Sequence, residues 1–180
     1  MRANDLSPAD RQGGTAVPGA RRAAAPLYTP DQRERRDSSA WTLVQGVLAP
    51  IQFLIFLVSL TLVLRYLATG DGVVAATISI MVKTGALYAI MITGAIWEKQ
   101  VFGQWLFAPA FFWEDVVSML VLALHTAYLV ALARDFGSEA GRMWLALAAY
   151  ASYVVNAAQF LIKLRAARLQ GSAPTLAVAG

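Results

Sequence analysis

Four apolar runs, each long enough to cross a bilayer, leave this chain few ways to fold. They extend from about Trp41 to Leu67, Val73 to Trp97, Trp113 to Ala133 and Arg142 to Leu164. Roughly 20 apolar residues in a helix span ~30 Å of hydrocarbon. No water satisfies backbone groups there, so each run must bond its own N–H and C=O groups as a helix. The turn Thr69-Gly-Asp-Gly72 and the polar loop Arg134 to Gly141 are short, which makes consecutive helices antiparallel neighbours. The expected fold is all-α, an integral membrane four-helix up-down bundle. Pro50 inside the first run predicts a kink or a step in its packing.

Composition removes the alternatives. The 180 residues are 58% hydrophobic and only 14% charged, against roughly 25% charged in a soluble domain, and the mean hydropathy is +0.54. With no cysteine, thiolate metal sites, disulfides and cysteine nucleophiles are excluded. A net charge of +4 does not imply nucleic acid, because the basic residues gather at the two ends, flanking apolar runs.

Residues 1–28, rich in Ala, Gly, Pro and Arg without apolar period, read as a disordered extension with no signal-peptide core. Thr29-Pro30-Asp31-Gln32 has the pattern of a capping box with proline at the first helical position. It opens a short charged helix outside the bilayer. The four-helix domain is thus expected over residues 29–170, with 171–180 a disordered tail. Seven arginines precede the first run, and Lys163, Arg165 and Arg168 follow the last. This bias places both termini, and the short helix, in the cytoplasm. The expected location is the inner membrane, either cytoplasmic or intracytoplasmic photosynthetic, with lipid around the bundle.

Each run carries polar residues at helical spacing. Glu114, Ser118 and the single histidine, His125, share one face of the third helix, while Asp115 lies about 100° away. Lys83 and Glu98 fall within about 60° of each other on the second. Gln45 and Gln52 lie on the first, Asn156 and Gln159 on the fourth. Serines and threonines in such stripes serve as interhelical hydrogen bonds, whereas ionisable groups inside a membrane mark function. Gln45, Glu98, Glu114, Asp115 and Gln159 sit near the cytoplasmic ends, and Gln52, Lys83, His125 and Asn156 deeper. The reading is one polar pocket, open to the cytoplasm and roofed by the deeper groups. The link Gln100 to Trp113 is unusually aromatic; Phe112 and Trp113 suit contact with a flat apolar ligand, or a membrane-surface anchor. One histidine cannot make a bis-imidazole haem site or a di-iron carboxylate bundle. Acid–base chemistry by Glu98, Glu114, Asp115, Lys83 and His125 remains, or ligand binding alone.

Leu27-Tyr-Thr-Pro-Asp-Gln-Arg-Glu-Arg-Arg-Asp37, Trp41-Thr-Leu-Val-Gln-Gly46, Gly94-Ala-Ile-Trp-Glu-Lys99, Phe111-Phe-Trp-Glu-Asp-Val116, His125-Thr-Ala-Tyr128 and Asn156-Ala-Ala-Gln-Phe160 resemble the 3-vinyl bacteriochlorophyllide hydratase family over about Leu27 to Gln170. The resemblance implies a hydro-lyase that adds water to the C-3 vinyl group of chlorophyllide or bacteriochlorophyllide in bacteriochlorophyll synthesis. Such a reaction needs a carboxylic acid that keeps its proton, a base for water and a dry planar slot. It needs no redox cofactor, and magnesium enters only within the pigment. Glu114 or Glu98 is the expected proton donor, ahead of Asp115. His125 is open to three roles: ligand of the pigment magnesium, orienter of water, or structural hydrogen bond. Lys83, Gln45, Gln52, Asn156, Gln159, Trp113 and Phe112 are the expected substrate contacts, and Lys99, Lys163 and Arg165 partners for the pigment's propionate or membrane anchors. Further partners are other pigment-synthesis enzymes or a second copy of the chain. The competing class is a non-catalytic tetrapyrrole carrier or assembly factor using the same pocket.

Overall fold

The computed structural model describes residues 26–171, with side chains through Arg168. The extension and tail expected at 1–25 and 172–180 lie outside the described residues. Five helices follow one another: α1 Pro30–Ser38, α2 Ala40–Thr69, α3 Val73–Phe102, α4 Phe112–Ala133 and α5 Glu139–Gly171. α2 to α5 are each long and apolar enough to cross a membrane.

The local signals account for the helix ends. At α1 the capping box forms in both directions: Gln32 N–H donates to Thr29 Oγ1 at 3.2 Å, and Thr29 N–H to Gln32 Oε1 at 3.0 Å. α2 stops at Gly70 and α3 at Gly103, both at positive φ (78° and 84°) where a side chain would be strained. α2 runs unbroken through Pro50. α3 continues past the expected end at Trp97 to Phe102, which brings Glu98 inside the helix.

The four long helices form a ring in which α2 packs on α3 and α5, and α4 on α3 and α5. Hydrogen bonds fix the antiparallel register. Gln45 donates to Thr93 and Ser59 bonds Ser79, each at 2.7 Å, the same number of residues forward along α2 as back along α3. The interior packs Phe56, Val63, Ile80, Leu87, Val121 and Tyr150. Leu54, Val58, Ile78, Leu120 and Leu161 point outward, as a lipid-facing surface requires. Five ionisable residues of α3 and α4 face inward instead: Lys83, Glu98, Glu114, Asp115 and His125 are all buried, while Arg65 and Lys99, near helix ends, are exposed.

Tyr28 departs from expectation. The extension was to run through residue 28, yet this ring is buried, stacked on Phe102 at 5.8 Å and tilted against Phe111 at 6.3 Å. The Arg36 guanidinium lies 4.7 Å above it. Burial pushes the Tyr28 phenol above its ordinary pKa, with Arg36 opposing. A short strap ahead of α1 is thereby pinned across the aromatic cluster of Trp97, Phe102, Phe111 and Phe160.

Candidate active site

The loop from Gly103 to Phe111 builds the site. Ala108 precedes Pro109 and is biased away from helix. Phe107 takes a left-handed φ of 60°, which is uncommon for an aromatic residue. This bend turns two successive N–H groups towards the bundle, where each meets a carboxyl. Phe107 donates to Asp115 Oδ2 at 2.8 Å and Ala108 to Glu98 Oε2 at 3.2 Å. Successive N–H groups around such a bend form a concavity suited to an anion.

The Glu98 and Asp115 carboxyls are close neighbours between α3 and α4. Two neighbouring carboxyls cannot both ionise in an enclosed site without strong repulsion, and one proton between them relieves it. Both are nearly enclosed, 5% and 4% exposed. The result is a buried pair of carboxyls suited to holding one proton, with loop N–H groups to support its negative charge.

Glu114, one residue before Asp115, points to a different neighbour. Its carboxylate pairs with Lys163 of α5, and Lys163 also donates to the Ala110 carbonyl. Asn156 Nδ2 donates to the Glu114 carbonyl at 2.9 Å and accepts at Oδ1 from Ser118 at 3.3 Å. The carboxyls therefore do not divide as the helical-wheel ranking suggested. Glu114 is charge-paired with Lys163, and Asp115, ranked last, stands beside Glu98. Lys163, expected as a propionate partner or membrane anchor, is instead engaged by Glu114.

Of the deeper groups, Asn156 bonds Glu114, whereas Lys83 and His125 are enclosed beside tyrosine rings. Lys83 is fully buried, its Nζ 3.8 Å from the Tyr153 ring centre. His125 Nδ1 lies 2.8 Å from the Val121 carbonyl; a carbonyl only accepts, so Nδ1 carries the hydrogen and a neutral ring has its lone pair on Nε2. That ring packs 5.8 Å from Tyr150, whose hydroxyl meets Ser59 at 2.5 Å. Lys83 Nζ, His125 Nε2, Gln52 Nε2 and Gln159 Oε1 have no hydrogen-bond partner among the described residues. His125 lies about 15 Å along α4 from Asp115. Gln45 is spent on Thr93, between α2 and α3.

Phe112 and Trp113 turn outward, 44% and 68% exposed, whereas Phe111 turns in at 2%. The inward aromatic wall is thus Phe111 with Phe160, stacked at 5.9 Å. A cleft of about 360 Å³ opens beside this wall, lined by Leu27, Glu114, Gln159, Ile162, Lys163, Ala166 and Ala167. Its volume lies within the roughly 300–1,000 Å³ of small-molecule sites. Sequence reasoning did not foresee the Phe107 and Ala108 N–H groups, since backbone donors leave no residue-type signal. It did contain Lys163, at helical spacing from Gln159 and Asn156.

Comparison with known proteins bears on this arrangement. A family model described as 2-vinyl bacteriochlorophyllide hydratase matches residues 28–166, from the strap through the α5 segment that carries Lys163. The chain belongs to this family. A protein of Cereibacter sphaeroides named 2-vinyl bacteriochlorophyllide hydratase is 68% identical over 144 residues, covering 79% of this chain and 89% of the relative. One of the same name from Rhodobacter capsulatus is 65% identical over 146 residues, covering 81% and 85%. No solved structure matches the chain significantly. The hydratase family match takes in every residue of the acid pair, its loop and the cleft except Leu27 and Ala167.

Proposed function

We propose that this chain hydrates the vinyl group of bacteriochlorophyllide or chlorophyllide, as a hydro-lyase of bacteriochlorophyll synthesis, with the Glu98–Asp115 pair as proton donor. The vinyl position is 2 or 3 according to the tetrapyrrole numbering used. The observation that carries the reading is the pair of buried carboxyls, each accepting from a loop N–H of Phe107 or Ala108, in a chain whose relatives bear the hydratase name.

The step balances without a redox partner. The pair gives its proton to the terminal vinyl carbon, and the electron pair of the double bond forms the new C–H bond. The cation left on the carbon joined to the macrocycle is delocalised into the ring and faces two carboxylates. Water forms the new C–O bond there and returns a proton to the pair, which is then ready for another turnover. A buried site strengthens the attraction between cation and carboxylates, because little solvent screens it.

The cleft beside Phe111 admits the flat pigment edge, its apolar floor supplied by Ile162, Ala166 and Ala167. Magnesium belongs to the pigment; the reaction as written uses no cofactor of the protein. His125, enclosed beside Tyr150 about three turns deeper than the pair, supports the bundle from within. Both termini face the cytoplasm in this reading, supported by the arginines before α2 and the basic end of α5. Purified protein incubated with bacteriochlorophyllide should yield extracted pigment heavier by one water, with its red band moved to shorter wavelength because the conjugated path is shorter. A band shift that reverts on extraction, with no mass change, would instead identify a carrier.

A further inference from the structure

In the loop that holds the acid pair, Ala108 and Phe111 are buried and Phe111 packs in the aromatic cluster, and hydrogen bonds fix the loop's two ends. At the Gly103 end, Gly103 N–H bonds Lys99 O at 3.1 Å, and Lys99 Nζ returns a bond to Gly103 O at 2.8 Å. At the other end the contacts come from α5. Lys163 donates both to the Ala110 carbonyl and to the Glu114 carboxylate, and Asn156 donates to the Glu114 carbonyl. Between these ends the loop closes on itself through Phe111 N–H to Ala108 O at 2.7 Å. Ala108 also donates to Glu98, and Asp115 N–H bonds Phe111 O at 3.0 Å. A displacement of Ala110 is therefore carried to both members of the pair.

We propose that Lys163 is a positioning residue for the proton donor: by tying Ala110 and Glu114 to α5, it holds the Phe107–Ala108 N–H groups on Glu98 and Asp115. This rests on the acid-pair reading above. The charge already has its counter-charge in Glu114, which argues against Lys163 serving as an anchor for the pigment's carboxylate. Its ammonium also lies 5.0 Å from the Phe111 ring centre, so it braces the inward aromatic wall as well.

The experiment compares Lys163→Met and Lys163→Arg with wild type, using bacteriochlorophyllide and its methyl ester as substrates. Wild-type turnover of bacteriochlorophyllide tests the hydratase reading itself, so failure there is distinct from failure here. Positioning predicts that Lys163→Met lowers kcat about 10²-fold, the scale of a misplacement near 1 Å. The loss should be the same for acid and ester, with KM nearly unchanged. Lys163→Arg keeps the charge and the donors and should recover most of the rate. A KM rise confined to the free acid would overturn the proposal in favour of carboxylate recognition, and so would unchanged kcat. If Lys163→Met fails to accumulate in the membrane, Lys163→Met/Glu114→Gln removes the unpaired charge. That double variant should still be slow, since Ala110 stays untied; a wild-type rate would show Lys163 to be only a counter-charge.

Discussion

Replacing one carboxyl of the acid pair by its amide separates chemistry from packing unusually well here. In Glu98→Gln the side-chain carbonyl still accepts from Ala108 N–H, now 3.2 Å from Glu98 Oε2, while the new NH2 donates to Asp115. The shape and the native hydrogen bond are both kept, so stability should hardly change. What is lost is the proton that can leave. Loss of a general acid costs about 10²- to 10⁴-fold, which is about 2.7–5.4 kcal/mol of transition-state stabilisation. Asp115→Asn should cost a similar amount, because the proton belongs to the pair and not to one member. The double variant should be no slower than the slower single one, since residues acting as a unit are not additive. The assay is the mass and red-band position of extracted pigment over time, with pigment binding followed separately by absorption. Near-wild-type turnover by either single variant would refute the shared-proton mechanism. Multiplicative losses in the double variant would show two independent roles.

Four other outcomes follow from the geometry. Glu114→Gln keeps the contact with Lys163 but not its charge, and should slow turnover less than Glu98→Gln; an equal or larger loss would move the donor role to Glu114. His125→Ala should leave turnover within about threefold of wild type and preserve membrane insertion, whereas a large loss of pigment affinity would restore the magnesium-ligand role. Tyr28→Ala removes a buried ring from the strap and should destabilise by about 3–5 kcal/mol, read as a lower detergent-solubilised melting temperature; an unchanged melt would mean that the strap is not held by this ring. Reporter fusions after Gly70 and Gly137 should report the periplasm and a fusion after Gly103 the cytoplasm, and the reverse pattern would invert the site's orientation.

The architecture was legible because lipid leaves so little choice. Four long apolar runs with glycine or polar links become antiparallel helices, and Thr29 with Gln32 marks the start of α1 by residue type alone. The inward placement of Lys83, Glu98, Glu114, Asp115 and His125 followed from the cost of exposing such groups to hydrocarbon. Tyr28 was missed for the converse reason: its partners, Phe102 and Phe111, are far along the chain, and nothing in Pro26-Leu27-Tyr28 itself has a period.

Which carboxyl meets which partner was legible only in part, because a helical wheel ranks the faces of one helix without naming what stands opposite. The wheel correctly separated Glu114 from Asp115 by about 100° and turned Asp115 towards a neighbouring helix. It treated the face shared with His125 as the reactive one. That inference assumed one environment along the face, whereas a face continuous along α4 is met by different neighbours at different depths: Lys163 and Asn156 near Glu114, and Tyr150 beside His125. The other face, at Asp115, meets Glu98 only because α3 continues past Trp97 and the loop folds back over both. A proton-bearing pair is thus a product of three elements, none of which carries the chemistry alone. The same dependence is why the proposed positioning role falls to a lysine on α5 that reaches the pair only through Ala110 and Glu114.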